Sequence, residues 1–280
     1  MITASLLIAL PFLGPEEHVS FLVVGKTTNH RQTGSDALEL LNYHFFAEIF
    51  AKEGGEVIKA ELVFPDGDRQ SFEDLGQVLE LHGGRYDDEA DLDRSYPNGP
   101  YGFRFETPGG AVERRVLRVQ GTGEGSSRIP EPASISLSQN GRPVSSAAVD
   151  SDADLVVTWS EFKNARSDPN GILDDLVFVV AGDCHGEKTV HSGRPFEGTG
   201  HLDYRAKSYT ISKDKLRPGE GHQMFVEHAT VDTSKEDGIV GLVTYAATTF
   251  LDFETTGRPS RDPCPSIMPR IDPGQTDRHP

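Results

Sequence analysis

The sequence has only two cysteines, a deficit of positive charge and no apolar run long enough to cross a bilayer as a helix. Two thiols, Cys184 and Cys264, exclude a disulfide-dense scaffold and a structural zinc site built from four thiolates. Either one disulfide that pins the C-terminal tail or two unrelated free thiols fits these positions. The sequence leaves this choice open.

Positive charge is scarce, because 27 Lys and Arg stand against 44 Asp and Glu, for a net charge of −17. A field of this sign repels the phosphates that dominate nucleic-acid affinity, and it equally repels an anionic membrane surface. We therefore expect no nucleic-acid partner. The partner should be a small molecule or a component of the cell envelope or the extracellular space.

The longest apolar stretch lies near the N-terminus, from Ser5 to Gly14, and a spanning helix needs about 20 residues. This stretch predicts no membrane span but fits the apolar core of a secretory signal, although no Lys or Arg precedes it. An export signal over residues 1–16 is the expectation, with a buried N-terminal strand as the alternative. The expected location is secreted or periplasmic.

Common catalytic signatures are also absent from the sequence. It contains no Gly-x-Ser-x-Gly elbow, no His-Glu-x-x-His helix and no Walker loop. The commonest hydrolase and nucleotide-binding motifs are therefore missing, and any activity has to rest on a less recognisable arrangement.

Turn-forming residues are plentiful, with 29 Gly and 18 Pro, which indicates many short strands and an all-β fold. Pro65-Asp66-Gly67 marks a turn, and alternating aromatic residues from Tyr101 to Phe105 mark a hairpin. The segment 36–53 is ambiguous. Local signals favour a helix capped at Asp36, whereas a period of two places Tyr43, Phe45, Ala47 and Ile49 on one face of a strand.

The second half carries seven strand-like segments at regular spacing. Its segments "LVVTWSEF", with Trp159, and "LRPGEGHQMFVEHA" resemble those of a fibronectin type III or immunoglobulin-like sandwich, with His222 in place of the corner Tyr. More loosely, Gly54-Gly55, Pro65-Asp66-Gly67 and "YPNGPYGF" resemble a group of uncharacterised exported bacterial two-domain β proteins. That second resemblance implies a strand for residues 43–51 and supplies no mechanism.

The expected architecture is all-β, with an antiparallel N-terminal domain followed by a fibronectin-III-like β-sandwich. In chain order we expect the export signal or N-terminal strand at 1–16, the antiparallel domain at 17–121, a linker at 122–131, the sandwich at 132–254 and a disordered polar tail at 255–280.

Two sets of side chains are candidates for chemistry. Asp150, Asp152 and Asp154 alternate in a way that could converge on Ca²⁺, although a solvated turn explains them as well, and no other cofactor is expected. General acid/base groups are clustered in or next to adjacent predicted strands: His185, His191, His228, Asp183 and Glu187.

The function that these features favour is non-catalytic binding, through sandwich loops or the interdomain groove of an exported protein. The alternative is a cofactor-independent lyase, isomerase or hydrolase that holds a small molecule between the two β domains. The enzymatic alternative requires a pocket that contains at least one histidine beside a carboxylate.

Overall fold

The computed structural model describes residues 14–35, 37–120, 127–198, 200–259, 262 and 264. Most of the expected export signal, the first half of the expected linker and most of the expected disordered tail lie outside the described residues. The described chain is nearly all β, as the sequence predicts. Two 3-10 helices, Pro15–Glu17 and Lys213–Lys215, and one α-helix interrupt the strands.

The strands and the helix have the following bounds: β1 Val19–Gln32, β2 Leu38–Ala51, β3 Ile58–Val63, β4 Arg69–Ser71, β5 Glu73–Asp74, β6 Val78–Tyr86, α1 Glu89–Ser95, β7 Gly99–Thr107, β8 Gly110–Val119, β9 Ile135–Gln139, β10 Arg142–Pro143, β11 Leu155–Trp159, β12 Leu176–Asp183, β13 Lys188–His191, β14 Leu202–Asp203, β15 Ser208–Ile211, β16 Gly221–Glu236 and β17 Ile239–Glu254.

A nine-stranded sheet forms the centre of the described structure. Its order is β13-β12-β16-β17-β1-β2-β6-β5, and β14 pairs with β12 at the same edge as β13. Strands β1 and β17, from opposite ends of the described chain, pair in parallel over eleven positions from Phe21 to Arg31. The other pairs of this sheet are antiparallel.

Two four-stranded sheets pack on one face of the central sheet. The sheet β4-β3-β7-β8 covers the side formed by β1, β2 and β6, and the sheet β10-β9-β11-β15 covers the side formed by β12 and β16. Strand β17 shows that both lie on the same face, because Val243 and Tyr245 join the first core while Leu251 and Phe253 join the second. The opposite face of the central sheet lacks a second sheet in the described structure.

Strand β2 settles the ambiguity at residues 36–53, because Leu38–Ala51 is a strand and not a helix. Tyr43, Phe45, Ala47 and Ile49 pack into the first core, as the period-two pattern predicts. The pairing of β2 with β1 on one side and with β6 on the other therefore outweighs the local helix signals.

The predicted division into two domains is not confirmed, because the central sheet draws strands from both halves of the chain. The seven predicted strands of the second half are present, and Trp159 is half-buried against their core. At the corner that resembles the fibronectin motif, the Nε2 atom of His222 accepts a hydrogen bond from the backbone N–H of Arg217 at 3.4 Å. The histidine thus supplies a side-chain-to-backbone contact at this corner.

Helix α1 lies in the acidic stretch "DDEADLD" that begins at Asp87. Asp88 caps it by accepting a hydrogen bond from the N–H of Asp91 at 2.7 Å, and Leu92 is its buried residue. Asp93 forms an ion pair with Lys26, whose side chain is only 3% exposed. The Lys26 ammonium also donates to Asn98 Oδ1 at 3.0 Å, so one buried cation ties α1 and the following turn to the middle of β1.

A disulfide joins Cys184 to Cys264, which resolves the choice that the sequence leaves open. The two residues are 80 positions apart and their Cα atoms are 5.5 Å apart. The bond attaches the segment after β17 to the turn between β12 and β13. The N–H of Cys184 donates to the carbonyl of Gly221 at 2.9 Å, so β16 supports the same corner.

Candidate functional site

A pocket of about 210 Å³ lies on the face of the central sheet that carries no second sheet. Rings from four of its strands form much of the wall: Phe21, Phe46, Phe50, Phe178 and Phe225. Phe21 and Phe50 stack with their centroids 4.2 Å apart. Ionisable side chains interrupt this apolar wall, and a pocket of this composition is typical of small-molecule sites.

Gly25 on β1 has no side chain and so leaves space for the ring of Phe46, its partner on β2. A Cβ atom at this position would meet the Thr244 backbone oxygen at 2.6 Å and Phe46 Cζ at 2.7 Å. Both distances are shorter than real Cβ contacts, and the carbonyl belongs to the paired strand β17.

Gly25→Ala should therefore destabilise the protein by about 1–3 kcal/mol, because the added methyl group overpacks the pocket floor. Gly198→Ala is the matched control, since a Cβ atom there meets nothing within 4 Å. Denaturant unfolding of both variants tests this expectation. Equal stability of Gly25→Ala and Gly198→Ala would show that the atoms around Gly25 move aside without an energetic cost.

The loop after β13 forms one wall of the pocket. The backbone N–H of Gly193 donates to His191 Nδ1 at 3.0 Å, which orients the imidazole. Arg194 lies with its guanidinium 5.8 Å from the Phe50 ring centroid and forms an ion pair with Glu197 at 3.5 Å. Phe196 adopts φ of 64°, a conformation that is rare for a bulky residue, and its ring lies 5.3 Å from that of Phe21.

A chain of hydrogen bonds runs from a carboxylate through two imidazoles on β6 and β2. His82 Nε2 lies 2.8 Å from Glu80 Oε2, and His82 Nδ1 lies 3.2 Å from His44 Nε2. His44 Nδ1 in turn lies 3.4 Å from the carbonyl oxygen of Gly84. A doubly protonated His82 that donates to Glu80 and to His44, beside a neutral His44 that donates to Gly84, satisfies all three contacts.

The pKa values of the two histidines agree with this arrangement. The hydrogen bond to Glu80 raises the pKa of His82, which favours the charged form of its imidazole. Burial, and to a smaller extent the charge on His82, lower the pKa of His44 to about 4. The chain of hydrogen bonds therefore favours a positive charge on His82 in the pocket wall.

Glu48 is a carboxyl group of the pocket whose pKa lies near neutral pH. It lies opposite Glu80 in the pairing of β2 with β6, on the same face as Phe46 and Phe50. Burial and the charge of Glu80 raise its pKa from 4.5 to about 7, and His82 partly opposes that rise. Near neutral pH this carboxyl group can both accept and donate a proton.

A second carboxyl group, Glu227 on β16, lines the same pocket. The hydroxyl of Thr248 donates to its Oε2 atom at 2.6 Å. Burial raises the pKa of Glu227, and its charge contributes to the raised pKa of Glu48, so the two groups act on the same cavity.

Of the five acid/base residues expected from the sequence, the structure places only His191 in this pocket. Asp183, His185 and Glu187 come together in the β12–β13 turn. Asp183 Oδ1 accepts from the N–H groups of His185 and Glu187 at 3.0 and 3.1 Å, and its Oδ2 pairs with Arg217 at 2.8 Å. These contacts build a turn.

His228 points to the opposite face of the central sheet. It is 1% exposed and stacks on Phe162 with centroids 4.4 Å apart and planes 1° from parallel. Burial lowers its pKa to about 4, so it stays neutral in the core. The structure therefore does not bring His228 together with His191.

Two of the three aspartates of the expected Ca²⁺ site accept hydrogen bonds from backbone N–H groups. Asp150 Oδ1 accepts from the N–H of Asp152 at 2.9 Å, and Asp154 Oδ1 accepts from the N–H of Lys213 at 2.9 Å. Among the described residues, one group of three metal-binding side chains has its ligand atoms within 4.8 Å of one another: Cys184, His185 and Cys264. The two sulfurs of that group are bonded to each other, and the aspartates form a solvated turn.

Sequence reasoning missed the pocket residues Glu48, His82, His44 and Glu227. The available signal was the second face of β2, where His44, Phe46, Glu48 and Phe50 alternate polar and aromatic side chains. A strand whose one face is wholly apolar and whose other face mixes rings with ionisable groups is typical of a sheet that covers a core and lines a site.

Comparison of the sequence with models of known protein families and with curated proteins finds no match. Within the described ranges, no helix has the length and apolar character that a bilayer crossing requires. The fold and the pocket define the class of protein that the chain represents: an all-β protein with a pocket of rings and ionisable side chains on one face of its central sheet.

Proposed function

We propose that the pocket binds a small, mostly apolar molecule and transfers a proton to or from it, with Glu48 as general base and acid. The observation that carries this proposal is the half-buried Glu48 carboxyl group, whose pKa of about 7 arises between apolar walls and the charged Glu80–His82 pair. A group with a pKa near the operating pH is most efficient in proton transfer. The reaction class is a cofactor-independent isomerase or lyase.

The size of the pocket limits the ligand. A cavity of about 150 Å³ holds benzene, so about 210 Å³ holds a molecule of monocyclic size with a few further atoms. Rings dominate the wall, and they favour an apolar body. A carbonyl group next to an acidic C–H bond is the chemistry that a carboxylate base of this kind can activate.

Deuterium exchange tests the proposal without a known substrate. Acetophenone and cyclohex-2-enone serve as probes in D₂O, and NMR follows the loss of the hydrogens next to the carbonyl. We expect native protein to accelerate exchange above the buffer rate and Glu48→Gln to lower that acceleration by about 10²-fold or more, as for other acid/base residues. Glu53→Gln, at an exposed turn, controls for the loss of one charge.

Binding without exchange would contradict the enzymatic proposal. If the native protein binds both ketones but exchanges their hydrogens no faster than Glu48→Gln does, the pocket serves non-catalytic binding. The same experiment therefore separates the two functions, because binding is read from ligand resonances and catalysis from deuterium incorporation.

We also propose that the protein works in a secreted or periplasmic location. The Cys184–Cys264 disulfide supports this proposal, because such bonds persist in oxidising compartments and are rare in the cytosol. Mass spectrometry of protein alkylated at the moment of cell lysis tests it. Free thiols at both positions in native material would contradict an oxidising location.

A further inference from the structure

A polar row crosses the pocket face at a distance from Glu48 along the strands. Asn42, Asn29, Thr248 and Glu227 occupy paired positions on the four adjacent strands β2, β1, β17 and β16. Asn29, Thr248 and Glu227 contribute to the pocket wall. The same pocket is lined by both carboxyl groups, Glu48 and Glu227, together with the rings.

Hydrogen bonds hold the side chains of this row in fixed orientations. Asn29 Nδ2 donates to Asn42 Oδ1 at 2.8 Å, and the Thr248 hydroxyl donates to Glu227 Oε2 at 2.6 Å. Since Thr248 occupies Oε2, a ligand in the pocket would meet the other carboxyl oxygen, Oε1. Fixed orientation is what a recognition group needs, because little conformational freedom is lost when the ligand binds.

The charges of the pocket restrict which oxygen can lie beside Glu227. The charge of Glu227 contributes to the raised pKa of Glu48, so a further negative charge in this cavity is unfavourable. A protonated carboxylic acid in an apolar site can instead donate a hydrogen bond to a neutral carbonyl oxygen. Burial raises the pKa of Glu227 and the Thr248 hydrogen bond partly opposes that rise, so the net direction favours the protonated form.

We propose that Glu227, held by Thr248, is the recognition group for a neutral carbonyl oxygen of the substrate. This inference rests on the proposed function. It assigns a different role to each carboxyl group: Glu48 exchanges the proton, and Glu227 binds the carbonyl oxygen. The substrate class is a neutral carbonyl compound of monocyclic size, and carboxylate analogues of the same size are disfavoured.

Three probes of similar size test the assignment by calorimetry or NMR titration at pH 7: acetophenone, ethylbenzene and benzoate. We expect native protein to bind acetophenone at least tenfold tighter than either of the other two. Glu227→Met should lower acetophenone affinity about tenfold and leave ethylbenzene unchanged, because it removes the donor but keeps an apolar chain of similar length. Glu227→Gln keeps a donor and should retain most of the affinity.

Thr248→Val gives a second measurement in case Glu227→Met does not fold, and it should weaken acetophenone binding while sparing ethylbenzene. Equal affinity of native protein and Glu227→Met for acetophenone would overturn the assignment, even if exchange shows that Glu48 is the base. Absence of exchange with oxygen recognition intact would overturn the catalytic proposal alone. Failure of the native protein to bind any of the three probes would overturn both.

Discussion

Glu48→Gln is expected to make the protein more stable than the native chain above pH 7, by about 3 kcal/mol. The pKa of Glu48 rises from 4.5 to about 7 on folding, and each tenfold change in proton affinity is worth about 1.4 kcal/mol. The folded state therefore holds this proton more tightly than the unfolded state does. Glutamine resembles the protonated form and avoids the cost of ionising a carboxyl group in an apolar wall.

The sign of the pH dependence follows from linkage. A carboxyl group with a raised folded pKa contributes stability that is fully present below pH 4.5 and is lost as the pH rises to about 7. The free energy of unfolding of the native protein should thus fall by about 3 kcal/mol more than that of Glu48→Gln between pH 4.5 and pH 8. Other titrating groups contribute to both curves and largely cancel in the difference.

Urea unfolding at constant ionic strength, at several pH values from 4.5 to 8, measures this difference. Glu53→Gln removes a charge at an exposed turn and should follow the native curve. Parallel curves for native protein and Glu48→Gln would show that Glu48 ionises as it does in water. A destabilised functional group at working pH is the usual consequence of placing it for chemistry and not for stability.

The strands of this fold could be predicted from local patterns, but their arrangement in sheets could not. The Pro65-Asp66-Gly67 turn and the alternation around Phe103 are short-range signals, and both segments form the hairpins that they predict. The parallel pairing of β1 with β17 joins segments that are more than 200 positions apart. No turn motif and no hydrophobic periodicity in the sequence indicates this pairing. This pairing makes one central sheet where two domains were expected.

The candidate site escaped prediction for the same reason. His191 was found because it lies near a cysteine, a histidine and two acidic residues in sequence, and the rest of that cluster is a turn. Glu48 and Glu227 line the same pocket only because β2, β1, β17 and β16 lie side by side. Polar residues scattered along distant strands carry no motif, although the alternation of His44 and Glu48 with phenylalanines could have marked β2 as a two-sided strand.

Asp93→Ala is expected to destabilise the protein by about 3–5 kcal/mol, more than a substitution at its partner Lys26. The side chain of Lys26 is 3% exposed, so loss of Asp93 leaves an ammonium group in the interior with Asn98 Oδ1 as its remaining charge-neutral partner. Lys26→Met leaves Asp93 unpaired instead, and that carboxylate is 38% exposed and can be hydrated. The cost is therefore asymmetric, although both substitutions break the same ion pair.

The double variant Lys26→Met/Asp93→Ala distinguishes a buried charge from a lost contact. If the unpaired ammonium causes the loss, Lys26→Met should recover at least half of the stability that Asp93→Ala removes, as measured by denaturant unfolding with unchanged slope. Glu106→Ala is the control, because its pair with Lys59 at 2.9 Å is exposed and should cost less than about 1 kcal/mol. A similar small cost for Asp93→Ala would mean that water reaches Lys26 and that the ion pair contributes little to the anchoring of α1.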